Sequence, residues 1–201
     1  MKEPQRVDQA VSDLEHQGYC ILEGALSAEF CVRIRADIER LRDSGLFAQA
    51  RIGKAASHQT NLEIRRDETY WLNEGAPSPV QKELLETVER YREGFNRHFF
   101  SGLWELEGHF GIYSPGAFYL PHLDQFQNDS RRTVSVVAFF NPDWKVGEGG
   151  FLRLHLPERK IDVLPNEGTL VFFFSDRILH EVTETHRERL SFAGWFLQRP
   201  R

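Results

Sequence analysis

The chain has 201 residues, 40% hydrophobic and 27% charged, which suits one globular domain with a sizeable core. A formal net charge of −5, with no basic stripe along any helix, gives no electrostatic case for a nucleic-acid partner. No apolar run approaches the ~18 residues that span a bilayer, so no membrane partner is expected, and the polar stretch Met1 to Asp13 has no signal-peptide core, which makes the cytoplasm the expected location.

Val7, Ala10, Val11 and Leu14 recur at helical spacing. Tyr19-Cys20-Ile21-Leu22 reads as a strand. Phe30, Ile34, Ile38 and Leu41 then share the face of a second helix, with Ser27 placed to cap it. Cys20 and Cys31 form neither a C-x-x-C pair nor a Cys/His zinc pattern, and both are expected as buried thiols. From Arg51 the chain is polar without a period, and Leu62 to Leu72 has the pattern of a hairpin. A polar loop of this length points to function, so a mobile finger is expected over Arg51 to Leu72. Val80 to Phe99 reads as a third helix, apolar along Leu84, Leu85, Val88, Tyr91 and Phe95.

From Leu106 onward the period falls towards two. Strands are expected at Gly108 to Tyr113, Thr133 to Phe140, Phe151 to Leu156, Thr169 to Phe174 and Leu190 to Leu197. Turn chemistry separates them, at Ser114-Pro115-Gly116, Asn141-Pro142-Asp143, Gly147 to Gly150 and Pro165 to Gly168. Helices first and strands later predict an α+β fold in one domain, 1–201, with a jelly-roll core over 106–197. Residues 1–60 and 80–99 would supply mainly helical support on one outer face. Phe118, Phe139, Phe172 and Phe174 are expected around a dry interior pocket.

The chemistry concentrates at His122-Leu123-Asp124. In extended chain, residues two apart point to the same side, so an imidazole and a carboxylate converge. His180 opens another strand-like run. Two histidines and one carboxylate on one face of a metal suit iron(II), because three coordination positions stay open. Arg189 follows nine residues later, and its planar fork can take a carboxylate by two parallel hydrogen bonds. Such a cation suits the far carboxylate of 2-oxoglutarate, with Arg153 and Arg177 as the alternatives. His109, His155 and His186 fit no ligand spacing and are expected to be structural or at the surface.

Between about 60 and 197 the chain resembles the prolyl hydroxylases of the 2-oxoglutarate dioxygenase superfamily, the branch of the animal oxygen-sensing enzymes and their bacterial relatives. The resemblance runs through Ile64-Arg65-Arg66-Asp67, Trp71, Tyr113-Ser114-Pro115-Gly116, His122-Leu123-Asp124, Asn141-Pro142-Asp143-Trp144, Gly149 to Arg153, Phe173 to Arg177, His180-Glu181-Val182 and Arg189 to Trp195. It implies a double-stranded β-helix and a dioxygenase that couples decarboxylation of 2-oxoglutarate to succinate with hydroxylation of a C–H bond. It also implies iron(II), 2-oxoglutarate and O2, with ascorbate as a stimulant. His122, Asp124 and His180 would hold iron, and Arg189 the distal carboxylate. Tyr113 would donate to the co-substrate, Leu152 and Trp195 would line its pocket, and Arg65 and Asp67 would meet the substrate chain. Ala193 departs from the family's hydroxyl residue. The resemblance implies prolyl 4-hydroxylation of a protein, with elongation factor Tu as the partner suggested by bacterial members. Hydroxylation of free proline or another small molecule is the alternative enzyme reading, and a catalytically silent jelly-roll binding module the alternative of another class.

Overall fold

The computed structural model describes residues 3–50, 61–72, 76–125 and 129–199. Three helices form where the apolar period is 3.6: α1 (Glu3–Gln17), α2 (Ala28–Asp43) and α3 (Pro79–Phe99). The Ser27 hydroxyl accepts from the Phe30 amide at 3.1 Å and caps α2. Ser78 and Gln81 close a reciprocal capping box on α3, with Pro79 in the first turn. Among the described residues no helix is long and apolar enough to cross a membrane.

Eleven strands are described: β1 (Tyr19–Leu22), β2 (Ala48–Gln49), β3 (Glu68–Trp71), β4 (Leu103–Tyr113), β5 (Tyr119–His122), β6 (Arg132–Phe139), β7 (Leu152–His155), β8 (Lys160–Val163), β9 (Leu170–Phe174), β10 (Leu179–Val182) and β11 (Arg189–Gln198). They build a seven-stranded sheet, in the order β1-β9-β6-β11-β4-β3-β2, and a four-stranded sheet, β5-β10-β7-β8. Every pairing within them is antiparallel, as a jelly roll requires. The α+β expectation holds, and the helices cover one outer face of the larger sheet.

The alternation of side chains assigns each strand residue to one of two layers. Val134, Val136, Ala138, Leu170 and Phe172 pack with the helices in the main core. Val137, Phe139, Val171 and Phe173 turn the other way and meet Leu152, Leu154 and Val163 between the sheets. This corrects the expected aromatic pocket. Phe172 packs on Tyr91 and Phe95, with ring centroids 4.7 and 5.4 Å away, and Phe174 packs on Phe99. Both lie on the helix face, because one residue along a strand reverses the side. Phe118 lies under the Arg66 guanidinium, and of the four only Phe139 faces the space between the sheets.

Residues 62–72 do not form a hairpin. Arg65 makes an isolated bridge to Tyr119 of β5, and β3 then pairs with β2 and β4 in the other sheet. The segment therefore crosses from the smaller sheet to the larger one. Residues 51–60 of the expected finger lie outside the described residues.

Candidate metal centre

Antiparallel pairing of β5 with β10 sets His122 directly opposite His180. Asp124, two residues beyond His122, turns to the same side. The His122 Nδ1 lies 2.8 Å from the Leu120 carbonyl and the His180 Nδ1 lies 3.0 Å from the Ile178 carbonyl. A carbonyl can only accept, so both Nδ1 atoms carry the proton and both Nε2 atoms offer a lone pair. Each histidine is thus oriented by the carbonyl two residues before it. The two Nε2 atoms face one carboxylate, His122 at 3.7 Å from Asp124 Oδ1 and His180 at 3.4 Å from Oδ2. One ligand atom from each of the three lies within 4.8 Å of the others.

The Ser135 hydroxyl donates to Asp124 Oδ2 at 2.6 Å and meets the Ser175 hydroxyl at 2.8 Å. Burial holds His122 well below its usual pKa, and the nearby His180 pushes the same way. Burial alone would raise Asp124, but His180 and His122 outweigh it and keep the carboxylate ionised. The indole N–H of Trp195 adds to this from outside hydrogen-bonding geometry, with no hydrogen-bond partner among the described residues. Two imidazole lone pairs and one ionised carboxylate are the donor set that iron(II) takes in a facial triad, so the residues fit that ion.

The three ligands open onto a cavity of about 280 Å³ between the sheets, which Arg189, Tyr113, Leu152, Trp195 and Arg65 also line. Arg189 is 1% exposed. Its Nε donates to the Gly150 carbonyl at 2.9 Å and its Nη1 to the Ser191 hydroxyl at 3.0 Å, and the rings of Tyr113 and Phe139 each lie 4.9 Å from the guanidinium carbon. Among the described residues no acidic side chain pairs with it. Burial draws its pKa down to about 10, which leaves it cationic at neutral pH. A buried cation with no acid of its own suits a carboxylate brought by a ligand. Burial pushes the Tyr113 hydroxyl up, so it stays protonated and able to donate. Ala193 does line the cavity, and the hydroxyl beside Arg189 comes from Ser191, two residues earlier on the same face. Arg153 pairs with Asp162 and Arg177 is an exposed neighbour of Asp176, so neither alternative cation reaches the cavity.

Asp67 is fully buried, and both its oxygens take hydrogen bonds from Arg65, at 2.7 and 2.5 Å. The two form an internal ion pair at the crossover between sheets, with Arg65 alone reaching the cavity wall. A pair of charges two residues apart reads in sequence as a solvated face, which hides this burial.

His109 is a functional candidate that ligand spacing missed. It is buried in the cavity wall against Trp71 and Trp195, with ring centroids at 4.9 and 5.6 Å, and the two indoles also touch each other at 6.0 Å. Its register was available, because β4 puts 109, 111 and 113 on one side. Arg132 caps the same group, 3.6 Å over Trp195 and paired with Glu107 at 2.7 Å.

Four likenesses to known proteins bear on this geometry. Residues 108–197 match the sequence model of the 2OG-Fe(II) oxygenase superfamily. The crystal structure of a prolyl-4-hydroxylase from Pseudomonas putida superposes with a TM-score of 0.86 at 34% identity, covering 96% of this chain and all of that one. A prolyl hydroxylase from Trichoplax adhaerens, solved with a hypoxia-inducible factor peptide fragment, superposes with a TM-score of 0.87 at 23% identity over 98% of this chain and 90% of its own. Among curated proteins, a hypoxia-inducible factor prolyl hydroxylase from Caenorhabditis elegans is 26% identical over 208 residues. The alignment takes in 96% of this chain but only 28% of that relative's length.

Proposed function

The chain belongs to the 2OG-Fe(II) oxygenase superfamily, and on that footing we propose that it is a prolyl 4-hydroxylase acting on a prolyl residue within a protein. The observation that carries the reading is one cavity holding three converging metal donors and a buried arginine with no acidic partner among the described residues. His122, Asp124 and His180 hold iron(II), and Arg189 takes the distal carboxylate of 2-oxoglutarate in its fork. With O2, the bound metal and co-substrate supply oxidative decarboxylation to succinate coupled to hydroxylation of a substrate C–H bond.

The protein's own part is orientation and dryness. The Leu120 and Ile178 carbonyls hold the two imidazoles in the tautomer that presents Nε2. Ser135 holds the carboxylate. The Tyr113 hydroxyl donates to the co-substrate, while Leu152 and Val137 keep water from its chain. Trp71, His109 and Trp195 form an aromatic wall suited to a pyrrolidine ring. Exposed Leu120 and Leu123 flank the metal ligands and offer an apolar rim to a polypeptide. Of the two residues expected to meet the substrate, Arg65 lines the cavity and Asp67 holds it there.

The likeness to the bacterial and animal enzymes supports a protein substrate, and elongation factor Tu is the partner we propose, in the cytoplasm, with ascorbate sustaining turnover. The test is incubation of the chain with iron(II), 2-oxoglutarate and elongation factor Tu, followed by mass spectrometry of its prolyl peptides and assay of succinate. A +16 Da prolyl peptide formed in step with succinate is the expected result. Hydroxylated free proline with unmodified protein would replace this reading by the small-molecule one, and absence of any succinate would leave a silent binding module.

A further inference from the structure

We infer that Tyr119 and Arg65 are positioning residues for the metal ligand His122, a reading that rests on the three-ligand site described above. The Tyr119 ring stacks on the His122 ring, with centroids 3.6 Å apart and planes 16° from parallel. The Arg65 guanidinium lies 4.3 Å from the centre of the same Tyr119 ring. Two planar groups cannot share one ring face at those distances, so the order of the stack is Arg65, Tyr119, His122.

Each layer is held from outside. Fully buried Asp67 fixes the guanidinium through two hydrogen bonds, at 2.7 and 2.5 Å. The same segment also fixes the edge of His122. The Arg66 amide donates to the Phe118 carbonyl at 3.0 Å and the Leu120 amide to the Ile64 carbonyl at 2.9 Å. Those bonds pin the stretch of β5 whose Leu120 carbonyl takes the His122 Nδ1 proton at 2.8 Å. The face and the edge of one imidazole are therefore both set by residues 64–67. His180 has the equivalent carbonyl, but its ring neighbours are Phe173 and His122, in tilted contact. The stack is particular to His122, the ligand nearer the protein surface.

An outer contact that fixes the plane of a ligating imidazole typically contributes 10–100-fold in metal affinity. The experiment is anaerobic titration of the full chain with cobalt(II), without 2-oxoglutarate or protein substrate, reading the dissociation constant and the d–d absorption band. Tyr119→Leu removes the flat face and is expected to weaken cobalt(II) binding ~10-fold and shift the band. Tyr119→Phe keeps the face and should bind within about twofold of wild type. Arg65→Met with Asp67→Asn removes the cation without stranding a buried charge, and should cost roughly threefold. Wild-type affinity and band in Tyr119→Leu would overturn the proposal, as would an equal loss in Tyr119→Phe, which would assign the effect to the hydroxyl. If Tyr119→Leu fails to fold, the double variant decides: an unchanged band and affinity there overturn the stack. Residues that serve only as substrate contacts would raise the KM for the protein and leave the cobalt(II) titration untouched. Because the titration uses no substrate, an error in the hydroxylase reading would not alter it, whereas an error in the metal site would leave the wild type without a band.

Discussion

Arg189 can be singled out in sequence only by its distance from His180, yet its surroundings define what it can bind. Its Nε and Nη1 are held by Gly150 and Ser191, rings flank it, and no described acid neutralises it. Removing one partner of a buried charge pair costs ~3–5 kcal/mol, so Arg189→Ala should raise the half-saturating 2-oxoglutarate roughly 10² to 10³-fold or more. Iron(II) binding should stay near wild type, since Arg189 touches none of the three ligands. An unchanged half-saturation would show that another group takes the carboxylate. Arg189→Lys keeps the charge but not the fork, and should fall between wild type and the alanine variant. His180→Ala or Asp124→Ala should abolish turnover while the fold persists, because the ligand residues lie outside both apolar cores. Substantial activity of His180→Ala at saturating iron(II) would remove the assignment. His122, Asp124, His180 and Arg189 were legible because their chemistry is unusual for their setting. Tyr119 and Ser135 were not, since an aromatic or hydroxyl residue in a strand reads as packing, and only the register shows which ligand it touches.

Helices and long strands followed from periodicity, because each buries one face and the burial writes the pattern. β8 did not: Lys160-Ile161-Asp162-Val163 is an edge strand with charges on its solvent side, so half of its alternation looks like loop. The misread hairpin at 62–72 has another cause. Its pairing partners, β4 and Tyr119, lie about forty and about fifty residues onward, and no local pattern reports a long-range pairing. The loop before β7 shows how an element positions a side chain. Gly150 has φ +65, and a Cβ there would lie 2.9 Å from Thr185 Oγ1 and 3.2 Å from Arg189 Cδ. Gly150→Ala should therefore strain the backbone by about 1–2 kcal/mol and press on the arginine it holds. The expected outcome is a lower melting temperature together with a raised 2-oxoglutarate requirement. Gly147→Ala, in the same loop with nothing within 4 Å of its Cβ, is the control and should change neither. Equal behaviour of the two variants would show that the loop adjusts without moving Arg189.

At the scale of the molecule, two sheets and a helical layer enclose the site, and the α+β jelly roll was legible from the change of period at Leu106. The order of strands was not, because alternation says which face a residue takes and nothing about its neighbour. His122 opposite His180 is a register that the ligand pattern requires but cannot display. Closing the layers also buries groups that would otherwise titrate in water, and His109 is the clearest of these. Burial, chiefly, and then the charge of Arg65 draw its pKa from 6.5 down to about 4. Between those values the unfolded chain holds a proton that the folded one refuses. Stability is therefore fully present above pH 6.5 and is lost as pH falls towards 4. At about 1.4 kcal/mol for each tenfold change in proton affinity, the loss attributable to this one side chain is on the order of 3 kcal/mol. Carboxylates titrating in the same range contribute to the wild type and to a His109 variant alike, so the difference between the two isolates the imidazole. His109→Leu keeps the packing against Trp71 and Trp195 with no group to protonate. In urea unfolding at pH 7, 5.5 and 4.5, the wild type should lose stability more steeply than His109→Leu, the gap between them opening below pH 6.5. Parallel curves would mean that the imidazole takes its proton without leaving its place, and that the wall it forms with the two tryptophans admits water.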